Sequence, residues 1–169
     1  MVGGSGRAPT LARHVSLVRA TVVVVVVIAL DQITKHTLGT WIEPGQVRHL
    51  IPGITFVYER NTGVSFSFLA GDGALVYVVI GLALVGLIGY LLARPTQPLL
   101  WLPTGMLIGG AVGNLVDRVA NGSVIDFIKL PHWPAFNFAD MSITFGVILL
   151  AIVIELGSRK REETERSDG

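Results

Sequence analysis

The sequence predicts an all-α membrane protein, a bundle of four spanning helices with both termini in the cytoplasm. Three observations carry that reading. The 169-residue chain is 51% hydrophobic and only 15% charged, too apolar a balance for an ordinary soluble domain. Four stretches, at about 15–33, 74–93, 99–116 and 138–156, approach the length of about 20 mostly apolar residues that a bilayer demands. Basic residues gather at both ends, Arg7, Arg13 and Arg19 at one and Arg159, Lys160, Arg161 and Arg166 at the other. Positive flanks stay inside, and an even number of spans returns the chain to the side on which it began.

The first span contains an unbroken valine run, Val22 to Val27. It reads as a retained anchor rather than a cleaved signal, because Asp31-Gln-Ile-Thr-Lys35 follows it instead of a small-residue cleavage site. Asp31 and Lys35 stand four residues apart and are expected to pair at the helix end. Residues 34–73 then lie outside. Within them Tyr58-Glu-Arg-Asn-Thr-Gly-Val-Ser-Phe-Ser-Phe68 mixes polar and aromatic side chains. There Asn61 and Gly63 offer an amide contact and a tight backbone, or simply a turn. Pro95 and Pro98 separate the second and third spans by a short turn, which makes them antiparallel neighbours.

The third span carries Gly105, Gly109 and Gly113 at every fourth position, a flat stripe that admits a close backbone. Asn114, Asp117 and Arg118 follow within one turn. Helix packing with a terminal ion pair accounts for this run, and so does a site; Arg118 is the expected partner of a nearby carboxylate. Residues 117–137 form the second outer segment. In it the β-branched run Val124-Ile-Asp-Phe-Ile128 reads as a strand or extended loop, and its apolar neighbours hold Asp126 at the membrane surface. Asn137 and Asp140 fit the N-cap and third position of the last helix, where the helix N-terminus favours an ionised carboxylate. Residues 1–12 and 158–169 are polar, glycine-rich or charged and are expected to be poorly ordered. The whole of 1–169 reads as one domain.

This topology gathers Asp31, Asp117, Asp126 and Asp140 into one layer at the outer face. A charged residue costs roughly 2.5–3.5 kcal/mol at the centre of a membrane helix on insertion scales, so carboxylates placed against lipid point to function. A net charge of +1 gives no case for nucleic acid. The absence of cysteine excludes disulfides, thiolate metal sites and cysteine nucleophiles. The four histidines lack zinc-protease spacing, and Ser65, Ser67 and Ser142 lack the nucleophile-elbow context. A carrier or proton pathway would hold its acids near the bilayer midplane, often within repeated halves. A scaffold would need only the glycine stripe.

Five blocks in order resemble the lipoprotein signal peptidase (signal peptidase II) family. They are Asp31-Gln-Ile-Thr-Lys35, Asn61-Thr-Gly-Val-Ser-Phe-Ser67, Gly109-Gly-Ala-Val-Gly-Asn-Leu-Val-Asp-Arg118, Gly122-Ser-Val-Ile-Asp-Phe127 and Phe136-Asn-Phe-Ala-Asp140. The resemblance implies a bacterial membrane aspartic endopeptidase with Asp126 and Asp140 as its catalytic pair. It implies that Asn61, Gly63, Asn114, Arg118, Asn137 and Ala139 bind substrate or support the site, with Asp31, Lys35, Asp117, Gly109, Gly110 and Gly113 as structural support. The implied substrate is a prolipoprotein carrying a diacylglyceryl group on a cysteine, cut just before that cysteine. No cofactor or metal is implied. Membrane lipid is a partner, nucleic acid is not, and a monomer is expected in the bacterial cytoplasmic membrane with the site facing outward. The family fold adds a small extracytoplasmic sheet and a short helix, expected here from residues 34–73. Val64-Ser65 departs from a frequent pair of alanines, and the interval from Asp126 to Asp140 is short.

Overall fold

The computed structural model describes residues 7–62 and 74–167. Helix α1 runs from Arg7 to Trp41, followed by strands β1 (Val47–Ile51) and β2 (Ile54–Asn61). Helices α2 (Ala74–Ala93) and α3 (Trp101–Asn121) precede strand β3 (Val124–Lys129) and helix α4 (Phe138–Ser167). The protein is therefore mostly helical with one small antiparallel sheet.

Helix α3 lies between α1 and α4 because glycine lines the faces it turns to them. A β-carbon on Gly105 would sit 2.8 Å from Val23 Cβ, and one on Gly109 would sit 2.8 Å from Val27 Cβ, both on α1. A β-carbon on Gly110 would sit 2.6 Å from the Ala139 carbonyl oxygen on α4. The buried stripe of α1 is Ser16, Ala20, Val27, Asp31 and Lys35, positions that helical periodicity keeps on one side. The two charges thus share the face that packs on α3.

Outer faces are apolar: Val18, Val22 and Val25 on α1, Leu82 and Val85 on α2, and Val147 and Ile148 on α4 are all exposed. By length and composition α1 and α4 are apolar enough to cross a membrane, and α2 supplies a shorter apolar run, Tyr77–Ala93. The polar residues of α3 face inward, among them Thr104, Asn114 and Asp117.

The helices extend beyond the apolar windows. Asp31, expected at the end of the first helix, lies well inside α1, which continues to Trp41. Asp117 likewise lies within α3, which ends at Asn121. Apolarity marks where lipid would begin, whereas helix hydrogen bonding stops only where the backbone is capped or broken. For α3 that point is Gly122, at φ 67°, whose N–H bonds the Arg118 carbonyl at 3.0 Å, a left-handed cap that glycine adopts without strain. Similarly α4 continues as helix to Ser167, past the apolar stretch.

The sheet order is β1-β2-β3, all antiparallel. Two strands come from residues 34–73 and the third from residues 117–137. The short helix expected between 34 and 73 is absent from described residues 42–62; residues 63–73, Gly63 among them, lie outside the described part. After β3 the chain turns at residues 131–134 and returns, so that Phe136 bridges Ile128, with N–H to O distances of 2.9 Å in both directions. That bridge delivers the start of α4 beside β3.

Candidate active site

The β2–β3 register places Glu59 opposite Asp126. Asn61, two residues further on, projects from the same face and reaches Asp126 diagonally. Its Nδ2 donates to Asp126 Oδ2 at 3.0 Å. Glu59 itself turns to Lys129, with which it forms an ion pair.

At the head of α4, Asn137 and Asp140 close a reciprocal cap. The Asp140 N–H donates to Asn137 Oδ1 at 2.9 Å, and the Asn137 N–H donates to Asp140 Oδ2 at 3.2 Å. This is the capping-box geometry, with an aspartate in the returning position. Asn137 Nδ2 then donates to Asp126 Oδ1 at 2.7 Å and to Asn114 Oδ1 at 3.2 Å. Asn114 Nδ2 donates to Asp140 Oδ1 at 2.8 Å. The two carboxyls from distant parts of the sequence are therefore joined through two amides.

A buried ionic cluster backs this pair. Lys35 Nζ lies 2.8 Å from Asp31 Oδ2, 2.6 Å from Asp117 Oδ2 and 3.0 Å from Asn114 Oδ1. Asp31 Oδ1 accepts the Ala139 N–H at 3.0 Å. Asp31 and Lys35 are 0% and 3% exposed. The pairing expected between Asp31 and Lys35 is present, but it sits inside the bundle and takes in Asp117. Charges so far from water require pairing, and Lys35 supplies it to both carboxylates, Asp117 Oδ2 meeting it as an ion pair alone.

Gly113 leaves the space that the Asp31 carboxylate occupies, since a β-carbon there would fall 2.7 Å from Asp31 Oδ2. Ala139 is fully buried with its carbonyl against Gly110. Arg118 departs from expectation. Its guanidinium makes no ion pair among the described residues, and Nη1 instead donates to the Asn114 carbonyl at 3.3 Å. Its Nε is buried without a hydrogen-bond partner among the described residues. Helical spacing returns it to its own backbone before it reaches a carboxylate.

Gln32 is a member the sequence reading left without a role. Its Nε2 donates to Asp117 Oδ1 at 3.0 Å and to Asp31 Oδ2 at 3.2 Å. The one hint was its place in the chain, directly after Asp31 and one turn before Lys35.

Burial pushes the Asp126 carboxyl up to about 6 from its ordinary value of 3.8; the Asn61 hydrogen bond opposes this, the nearby Asp140 charge adds to it, and the Asn137 hydrogen bond and the Lys35 charge oppose it further. Asp126 is 2% exposed, yet it opens onto a cavity of 230 Å³ lined by Glu59, Arg60, Asn61, Thr62, Pro134 and Ala135. Larger grooves of 520 and 450 Å³ flank the α2–α3 turn at the other end of the bundle and touch none of these residues. A carboxyl held near neutrality beside a second carboxyl is suited to sharing one proton, the arrangement that activates water in acid–base hydrolysis.

Residues 23–156 match the family model described as Signal peptidase (SPase) II. The chain is 35% identical over 137 residues to the lipoprotein signal peptidase of Thermodesulfovibrio yellowstonii, covering 79% of this chain and 92% of that relative. It is 40% identical over 136 residues to the lipoprotein signal peptidase of Paraburkholderia phymatum, covering 76% and 82%. Among solved structures, a bacterial membrane enzyme determined in meso at 1.9 Å superposes with a TM-score of 0.74 at 30% identity, covering 80% of this chain and 91% of that one.

Proposed function

The chain belongs to the signal peptidase II family of aspartic peptidases, and from that premise we propose that Asp126 and Asp140 are its catalytic pair. The family supports removal of signal peptides from prolipoproteins. The finer reading is cleavage of a diacylglyceryl-modified prolipoprotein just before the lipidated cysteine. One observation carries the dyad: Asn137 donates from its side-chain Nδ2 to Asp126 Oδ1 at 2.7 Å and from its backbone N–H to Asp140 Oδ2 at 3.2 Å, so a single residue sets the two carboxyls relative to each other.

In this mechanism Asp140 is ionised and Asp126 holds the shared proton. Asp140 takes a proton from water as the hydroxyl oxygen adds to the scissile carbonyl carbon. Asp126 donates its proton to the carbonyl oxygen, giving a neutral tetrahedral diol. On collapse the carbonyl re-forms, the C–N bond breaks and the proton on Asp140 passes to the leaving amine; the diol's other hydroxyl proton returns to Asp126. Burial favours the protonated form of Asp126, which leaves Asp140 for the role of base. The pair itself activates water, so the chemistry calls for no metal or cofactor.

The same reading has four spans, both termini cytoplasmic, the dyad on the outer side of the bacterial cytoplasmic membrane, and a monomer. A dyad at that level allows the diacylglyceryl chains to remain in lipid while the peptide bond meets water. Arg118, with a buried Nε lacking a partner among the described residues, is suited to a backbone carbonyl of the substrate.

The test is cleavage of a diacylglyceryl-modified prolipoprotein by the purified protein, beside the unlipidated form. Wild type cleaves only the lipidated form, with or without chelator, and Asp126→Asn or Asp140→Asn abolishes turnover while the protein still inserts. Near-normal cleavage by either variant would remove the dyad assignment. No cleavage by folded wild type would move the reading to a carrier.

A further inference from the structure

At the end of the bundle remote from Asp126, the turn between α2 and α3 is pinned to α4. Gln97 Nε2 donates to the Val153 carbonyl at 3.2 Å. Gly157 leaves that amide room, since a β-carbon there would sit 3.1 Å from the nitrogen. Beside this contact lies the groove of 520 Å³, and Arg94, just past α2, and Lys160 on α4 both line it, against one carboxylate, Glu165. Both cations are exposed, and neither forms an ion pair among the described residues. Arg159, next to Lys160 in the chain, is instead held by Glu155 at 2.8 Å. Arg94 lies over the Tyr90 ring, 5.5 Å from its centre, a contact that leaves its charge in place.

The rest of the groove is largely apolar. Ala93, Pro98 and Ile154 line it, and exposed Ile88 and Leu92 on α2 continue the apolar surface away from the turn. Two unpaired cations beside an apolar wall, at the end of membrane-spanning helices, match a molecule with an anionic head and acyl tails. We propose that this groove binds an anionic phospholipid, with Arg94 and Lys160 on its phosphate and its acyl chains along α2 and α4. A lipid so bound ties the α2–α3 turn to α4 and stabilises the folded protein by mass action. The site is independent of the dyad and needs only that the bundle spans a bilayer.

The probes are phosphatidylglycerol and phosphatidylcholine with the same acyl chains, added to the purified protein in a nonionic detergent. Native mass spectrometry counts the bound lipid, and thermal unfolding reports the stabilisation. Wild type is expected to bind phosphatidylglycerol the more tightly and to unfold at a higher temperature with it. Arg94→Gln/Lys160→Gln should weaken phosphatidylglycerol binding roughly twenty- to thirtyfold, about fivefold for each cation, and leave phosphatidylcholine binding within about twofold. Both residues are exposed, so these changes leave the packed interior intact. Arg159→Gln/Arg166→Gln removes the same charge from α4 outside the groove and is expected to keep the preference. Glu165→Gln removes the one carboxylate facing the phosphate and should strengthen it.

Inorganic phosphate at the same concentration should leave the unfolding temperature unchanged, because it brings no acyl chains to the apolar wall. Equal affinity of wild type for the two lipids overturns the proposal. An equal loss in the two double variants does the same, since the preference would then belong to the general charge of that end. A shift by phosphate that matches the lipid's makes the site one for a free anion and also overturns it. Cleavage is no part of the readout, so these outcomes leave the dyad assignment standing, and loss of the dyad assignment leaves the groove.

Discussion

The side-chain amide of Asn137 has one oxygen and two N–H groups, and all three are engaged by Asp140, Asp126 and Asn114. Asn137→Ala is expected to lower stability by about 1 kcal/mol through loss of the cap and to reduce cleavage more than tenfold. Asn137→Ser keeps an oxygen for the Asp140 N–H, so it recovers part of the thermal stability; its short side chain does not reach Asp126, so it does not recover cleavage. Unfolding temperature and turnover measured on both variants check the split. Asp126 supplies a second expectation. Carbon-13 carboxyl titration should give it a midpoint near 6, and Asp140→Asn should lower that midpoint, since the neighbouring charge is one of the causes that raise it. The sign for stability follows. The folded state holds this proton between pH 3.8 and about 6 while the unfolded state has released it, so Asp126 contributes a stability that falls as pH rises through that window and stays lost above it.

Among the elements, α3 depends on glycine where it meets backbone and not elsewhere. Gly110→Ala puts a methyl 2.6 Å from the Ala139 carbonyl; neither helix can yield cheaply, and a loss of about 1–3 kcal/mol is expected, with cleavage reduced because the head of α4 is displaced. Gly86→Ala on α2 meets nothing within 4 Å and should stabilise by about 0.5–1 kcal/mol, the ordinary gain at a helix interior. Thermal unfolding of the two variants in the same detergent separates them. The glycine stripe was legible in the sequence because its period is that of a helix. Its partners were not: nothing in the spacing of Gly105, Gly109, Gly110 and Gly113 says that two of them face valines of α1, one a carbonyl of α4 and one the Asp31 carboxylate.

For the whole molecule, the proposed orientation is testable because the chain has no cysteine of its own. A membrane-impermeant maleimide on intact spheroplasts should label His132→Cys, in the exposed turn between β3 and α4, and should label Ser158→Cys only after permeabilisation. The reverse pattern would invert the topology. Apolar stretches, basic flanks and the cap at Asn137 are local signals, and a sequence displays them directly because they depend on neighbours one to four residues away. The sequence by itself determined the helical class and the family, and it put forward the two aspartates that are proposed as the pair. Only the tertiary structure decided that Lys35 joins Asp31 to Asp117, that Gln32 belongs to the cluster, that Arg118 turns to its own backbone, and that β3 pairs with a strand more than sixty residues earlier. Those partners are far apart along the chain, and what selects among them is the requirement that each buried charge and amide find a mate once packing has removed water.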